Sequence, residues 1–330
     1  MMNTPIQPAM SVILVTPDTY QTIRQVISFL QAQTVKERLE LILVGPSKAV
    51  MQVPEQEFVV FQHYQILEVG KLTASAAARV AGIRAASAVV VVFLEDHTFP
   101  THDWAECIIQ AHEQNWAGVG PVMLNANPNS MTSWANILLA FGQWIDRQDG
   151  GLCDRLPPHN TAYKRDLLLS YDDKLDTWLD AESIMQDDLR QKGYQFYFQP
   201  KAKLHHLNIS KIRSFIIEQY TGGRLFGAAR CTSWSWLQRG IYIVGSPLIP
   251  LRRLPELLVM IKPARRWKQL MPHVLPPLLL GLVVHSFGEM MGYAFRAGRA
   301  KEISTQLEFH HDHHLSIRDQ NWGIQNGSKQ

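Results

Sequence analysis

An α/β fold, a mixed but mostly parallel sheet flanked by helices with apolar helices after it, is what this sequence predicts, and three observations predict it. Strand-length apolar runs alternate with segments of helical period through the first third of the chain. One run, Val89–Leu94, is rich in β-branched residues, follows an Ala-rich helix-forming segment and leads directly into Glu95, Asp96 and His97. Such a run is what a strand covered on both faces of a parallel sheet looks like. After Arg239 the composition turns to apolar segments broken by proline and bracketed by Arg and Lys.

Ser11–Val15 is the first strand, and Thr16-Pro17-Asp18 stops it. Tyr20–Gln33 then has helical period, with Ile23, Val26, Ile27 and Leu30 on one face. Leu39–Val44 is a second strand ended by Gly45-Pro46-Ser47, Phe58–Gln65 a third, and Val89–Leu94 a fourth. Strands separated by helices make a parallel sheet. Ala117–Met123 is a further short strand, followed by an aromatic stretch, helical or irregular, around Trp134–Trp144. Asp149–Pro158, rich in Gly, Asp and Pro, is a surface loop. Asp180–Lys192 is a helix closed by Gly193, and Tyr194–Phe198 a strand that continues into Lys203–His206.

Composition excludes several classes. At 330 residues and 46% hydrophobic the chain can bury a large core, and a net charge of +3 argues against binding nucleic acid through a basic field. Cys107, Cys153 and Cys231 are widely spaced with no CxxC pair, which disfavours a structural zinc or a disulfide framework and fits a reducing compartment. The N-terminal segment has no basic n-region and too short an apolar stretch for a signal peptide, so a cytoplasmic protein is expected. The expected organisation is a sheet domain over residues 1–236, apolar or amphipathic helices over 237–300 and a polar disordered tail over 301–330. The apolar run at 274–284 falls short of the ~20 residues that span a bilayer. With Arg252, Arg253, Arg265, Arg266 and Lys268 beside them, the apolar segments read as helices lying at a membrane surface, the inner face of the cell membrane, or else as an appendix packed on the domain. The histidines of Glu308–His314 fall in the tail read as disordered.

In open α/β sheets ligands bind outside the carboxyl ends of strands, so Glu95, Asp96 and His97 are a candidate site. Four segments in order carry a resemblance: SVILVTPDTYQTIRQVISFLQAQT, AAARVAGIRAASAVVVVFLEDHTFP, HNTAYKRDLL and AESIMQDDLRQKGYQFYFQPKAKLHH. Together they resemble the inverting family-2 glycosyltransferases of GT-A fold, over roughly residues 10–210, in a branch with a degenerate DxD motif. The resemblance implies transfer of a sugar from a nucleotide-sugar donor, a UDP- or GDP-sugar, to a hydroxyl of an unknown glycan, lipid or protein acceptor. It assigns Thr16, Pro17, Asp18, Arg79 and Asp96 to the nucleotide sugar, His159 and Asn160 to the acceptor side, and Glu182 to the base. It assigns a divalent cation, Mn2+ or Mg2+, to Glu95, His97 and His206, with His205 as the fallback beside His206.

The residues depart from the family pattern in three places. The second Asp of the DxD motif is His97, whose imidazole favours Mn2+ over Mg2+ as a ligand, or which serves as an acceptor-side hydrogen bonder. The Asp that reads the base after the second strand is missing, since Gly45-Pro46-Ser47 stands there. The Glu-Asp pair of the base falls on Ala181-Glu182. Glu182 could equally be a solvated first-turn residue favoured by the helix dipole, and Arg79 a helix-surface residue. Asp187 and Asp188 read as surface charge. The alternative function is an inactive relative that binds a nucleotide sugar or scaffolds a partner. A nucleotidyltransferase or a dinucleotide oxidoreductase would need a Gly-rich phosphate loop after the first strand, and SVILVTPDTYQTIRQ has none.

Overall fold

The structure, a computed structural model, describes residues 7–180, 182–262 and 267–320. The chain divides into two compact units, one of residues up to Met123 plus Gln148–His205, the other of Leu124–Arg147 plus the chain from His206.

The first unit is built on the sheet. β1 (Met10–Val15) lies between β2 (Leu39–Gly45) and β4 (Val90–Leu94), parallel to both, and β2 carries β3 (His63–Glu68) in parallel on its far side. The remaining strands are β5 (Thr98–Pro100), β6 (Gly118–Asn125), β7 (Gly151–Cys153), β8 (Ala162–Lys164) and β9 (Phe196–His206). They extend the sheet in the order β3-β2-β1-β4-β8-β6-β9-β5, with β7 paired antiparallel to β9. β8 runs antiparallel to β4 and β6, so the sheet is mixed. This is the α/β class that the alternation predicts.

Every residue of β2 and β4 is buried, which is why both read as apolar runs, interrupted in β2 by Glu40. α1 (Tyr20–Gln31) buries the predicted face, Ile23, Val26, Ile27 and Leu30. A short α2 (Lys48–Met51) follows β2. α3 (Ser75–Ala85) lies close on β1 because Gly82 has no Cβ, and one there would run into the Ile13 side chain. α4 (Trp104–Ala111) buries Trp104 and Ile108.

One ionisable residue interrupts β2, and the fold satisfies it completely. Glu40 is wholly buried and accepts from the Ser11 hydroxyl, the His63 ring, the Gln65 amide and the Ser87 N–H. Burial pushes this carboxyl up, but those four hydrogen bonds outweigh it and hold the pKa at about 2. Glu40 thus joins the amino ends of β1, β2 and β3 to the turn before β4.

Several boundaries differ from expectation. The third strand is His63–Glu68, and Glu55–Phe58 is a 3-10 turn that delivers Phe58 to the core. β9 runs to His206 as one strand, and the loop at Asp149–Pro158 contributes β7. The helix expected at Asp180–Lys192 is α8 (Glu182–Gln191), after the short α6 (Arg165–Leu169) and α7 (Leu175–Leu179), and Gly193 takes the left-handed conformation as predicted. Ala181 lies outside the described residues.

The second unit is helical. The aromatic stretch is α5 (Met131–Phe141), capped by Ser130. α9 (Ile212–Arg230) packs along α13 (Leu275–Phe295), backbone against backbone: a Cβ at Gly223, Gly227, Gly288 or Gly292 would run into a carbonyl of the facing helix. That contact puts α9 with the C-terminal helices, whereas the expected boundary at 236/237 leaves it with the sheet. Between these helices come α10 (Trp236–Gly245), α11 (Ile249–Ile261) and α12 (Trp267–Leu270). α13 is longer than the 274–284 run and is long and apolar enough, by length and composition, to cross a membrane. The tail read as disordered is folded as far as residue 320. α14 (Ala300–Phe309) and the turn after it bury Leu307, Phe309, His311 and Leu315, because the polar stretch hides an apolar face. Arg265, Arg266 and the residues after 320 lie outside the described residues.

Candidate active site

β1 has β2 on one side and β4 on the other, so the chain order switches at its edge with β4, and the carboxyl ends there form a topological switch point. The Thr16-Pro17-Asp18 turn leaves β1 at this point and Glu95-Asp96-His97 leaves β4. Thr16 is buried, with its N–H bonded to the Val44 carbonyl at 3.0 Å, and Asp18 is exposed.

Glu182, Arg79 and His159 meet in one cluster. Glu182 opens α8 yet is only 3% exposed, and Arg79 on α3 is 5% exposed. Their charged groups lie 3.9 Å apart, and the Arg79 guanidinium donates to Nδ1 of His159 at 2.6 Å. The His159 N–H donates to Glu182 Oε1 at 3.0 Å. The Tyr163 hydroxyl reaches Oε2 at 3.4 Å and is itself held by the Gln186 amide at 2.7 Å. Burial, then the nearby Glu182 charge, push the Tyr163 phenol well above its usual range, so it stays protonated. His159 stands at φ 66, a left-handed conformation that costs a non-glycine residue roughly 1–2 kcal/mol. Strain of this kind concentrates at functional sites.

The next residue reaches the other carboxylate. Asn160 is buried, and its amide nitrogen donates to Glu95 Oε2 at 2.7 Å while its oxygen accepts from Thr98 at 3.1 Å. His97 is buried, with Nδ1 2.7 Å from the Asp96 carboxylate and Nε2 3.9 Å from Glu95 Oε2. A carboxylate that engages one ring nitrogen turns the other toward a metal, a common orientation for ligating histidines. Two ligand atoms 3.9 Å apart suit one cation at ~2.0–2.2 Å from each. Glu95 and His97 therefore fit a divalent ion.

His206 ends β9 and counts with the second unit. It is buried, its Nδ1 2.8 Å from Asn208 and its ring against Phe141. His205 is half-buried. Asp187 pairs with Arg155 at 2.6 Å, while Asp188 accepts from the Tyr171 hydroxyl and pairs with Lys192 at 2.7 Å. Both acids already have structural partners. Tyr163, Gln186 and Thr98 are the site residues that the sequence reading did not assign. Tyr163 stands inside the HNTAYKRDLL motif, the one signal that could have drawn attention to it.

The arrangement places carboxylates at the strand ends of a mixed α/β sheet. Residues 11–171 match the family model described as Glycosyl transferase family 2. The matched span ends before Glu182, so it does not bear on that residue. No curated protein matches the chain by sequence. Among solved structures, the fold is similar to that of "Crystal structure of GalNAc-T7 with UDP, GalNAc and Mn2+", at TM-score 0.46 and 12% identity, over 61% of this chain. The alignment spans 44% of that protein's chain.

Proposed function

We propose that this protein moves a sugar from a UDP- or GDP-sugar to an acceptor hydroxyl with inversion at the anomeric carbon. The observation that carries the reading is the buried Glu182 carboxylate, held by Arg79 and the His159 N–H, one residue along the chain from the Asn160 contact to Glu95.

The acceptor hydroxyl gives its proton to Glu182 as its oxygen attacks the anomeric carbon. The bond from that carbon to the diphosphate oxygen breaks on the opposite face, and the nucleoside diphosphate leaves with the electron pair. Attack and departure on opposite faces invert the centre. Arg79, the cation of the cluster, is assigned to the diphosphate, where a preorganised charge acts most strongly on the developing anion. His159 and Asn160 line the acceptor side, and Thr16, Pro17, Asp18 and Asp96 the nucleotide side. Glu95 and His97 would hold Mn2+ or Mg2+, which when bound would neutralise charge on the diphosphate.

A panel of UDP- and GDP-sugars tested by thermal shift, with and without Mn2+, followed by transfer and hydrolysis assays on each hit, tests the reading. Turnover of one donor supports it. Binding without transfer or hydrolysis for every donor favours the inactive relative instead.

A further inference from the structure

The helices α10 and α11 are amphipathic in the reverse sense. Leu237, Ile241, Val244, Leu248, Leu251 and Val259 recur at helical spacing through both, and each is between 61% and 80% exposed. The polar groups are turned the other way. Arg239 is buried, donating to the Tyr293 and Ala294 carbonyls at the end of α13, and Ser246 accepts from the Ser286 hydroxyl. Arg253 approaches Glu289 at 3.8 Å. Arg239, Ser246 and Arg253 are spaced seven apart, so they fix the rotation of the pair and point the apolar stripe outward. α13 adds Leu279, Val283 and Phe287 on its own exposed side.

An exposed run of large apolar side chains such as that of α10 and α11 marks an interaction site. We propose that it lies in one leaflet of an anionic lipid bilayer, with α10 and α11 in the interface plane. α10 and α11 are joined by a 3-10 turn at Ser246–Leu248, and at ~1.5 Å per residue their 10 and 13 residues each fall short of the ~30 Å hydrocarbon core. Charge selects the lipid. Residues 207–330 hold 16 Lys and Arg against seven Asp and Glu, in a chain whose net charge is only +3. Exposed Arg230, Lys262 and Lys268 bracket the stripe along the chain, as basic anchors bracket interfacial helices. A coiled-coil seam with a second copy would be flanked by charge pairs. Here the single charged side chain of residues 236–251, Arg239, faces inward, and the exposed Arg252–Glu256 pair, at 3.3 Å, is made within α11 itself. The proposal is independent of the glycosyl-transfer reading, because every residue in it belongs to the helical unit.

The test is flotation of the full-length protein with phosphatidylcholine vesicles, with and without about one third phosphatidylglycerol. The comparison protein carries Val244→Glu and Leu248→Glu, both at exposed positions, with thermal melting to verify folding. The wild type is expected to float, several-fold more with the anionic vesicles, and the double variant to lose at least ten-fold while melting normally. Quenching of tryptophan fluorescence by bromine-labelled acyl chains should fall in Trp236→Phe, since Trp236 is exposed beside the stripe. A wild type that stays with the soluble fraction in both vesicles would overturn the proposal. So would a lipid-free dimer that the double variant splits while flotation is unchanged.

Discussion

Asn160 donates its side-chain amide to Glu95 at 2.7 Å, and the peptide N–H beside it in the chain, that of His159, donates to Glu182 at 3.0 Å. One dipeptide therefore holds the carboxylate assigned to the cation and the carboxylate assigned to the acceptor proton. Both carboxylates are held by a single loop, and His159 in it is in a strained conformation. A shift of that loop would disturb both ends of the reaction at once.

The metal assignment predicts linked binding. Nucleoside diphosphate should raise the melting temperature only with a divalent cation present, because a ligand stabilises by what it binds in the native state. Mn2+ should exceed Mg2+, given one imidazole in the donor set, and His97→Asp should narrow that gap. Equal stabilisation in excess chelator would remove the cation role from Glu95 and His97.

The buried Glu40 predicts an acid-sensitive fold. Its folded pKa of about 2 lies below the ordinary carboxylate value of 4.5. A depressed folded pKa contributes stability that is fully present above the unfolded pKa and is lost as pH falls through the folded one. Resistance to urea should thus weaken as the pH falls from about 4.5 to 2, and Glu40→Gln should flatten part of that slope while costing about 2–3 kcal/mol at neutral pH. An unchanged pH slope in the variant would show that Glu40 does not carry the effect.

Close packing of α9 on α13 predicts a steep cost for volume. A Cβ at Gly227 would run into the Glu289 carbonyl, with backbone on both sides and no side chain to yield. Gly227→Ala should lower unfolding stability by about 1–3 kcal/mol, and Gly240→Ala, where a Cβ meets open space, should be near neutral or mildly stabilising. Equal effects at the two positions would contradict the packing.

What the sequence revealed follows from how local each signal is. β1, β2 and β4 were legible because strands covered on both faces read as near-continuous apolar runs. β3 was displaced because its residues are half-buried to exposed, while Phe58 and Phe61, which reach the core, lie in the turn before it. α13 was read short because His285, Gly288 and Glu289 interrupt the apolar run, although Gly288 and Glu289 are buried within the helical unit. The tail around Glu308–His314 looked solvated because its buried residues are scattered among polar ones. Of the site, the positions of Glu95, Asp96 and His97 followed from the strand that precedes them. The pairing of Arg79 with Glu182 joins residues more than a hundred apart in the chain, and only the folded sheet brings them together.

Glu182 carries the proposed proton transfer, and the direct measurement is transfer rate beside donor affinity in Glu182→Gln. Glutamine keeps the shape and still accepts from the His159 N–H, but it removes the basicity. The expected loss is about 10²–10⁴-fold in kcat, with donor Kd changed less than about threefold and with Asp187→Asn near wild type. Near-normal transfer by Glu182→Gln, with Asp187→Asn or Asp188→Asn inactive, would contradict the assignment and place the base one turn further along α8.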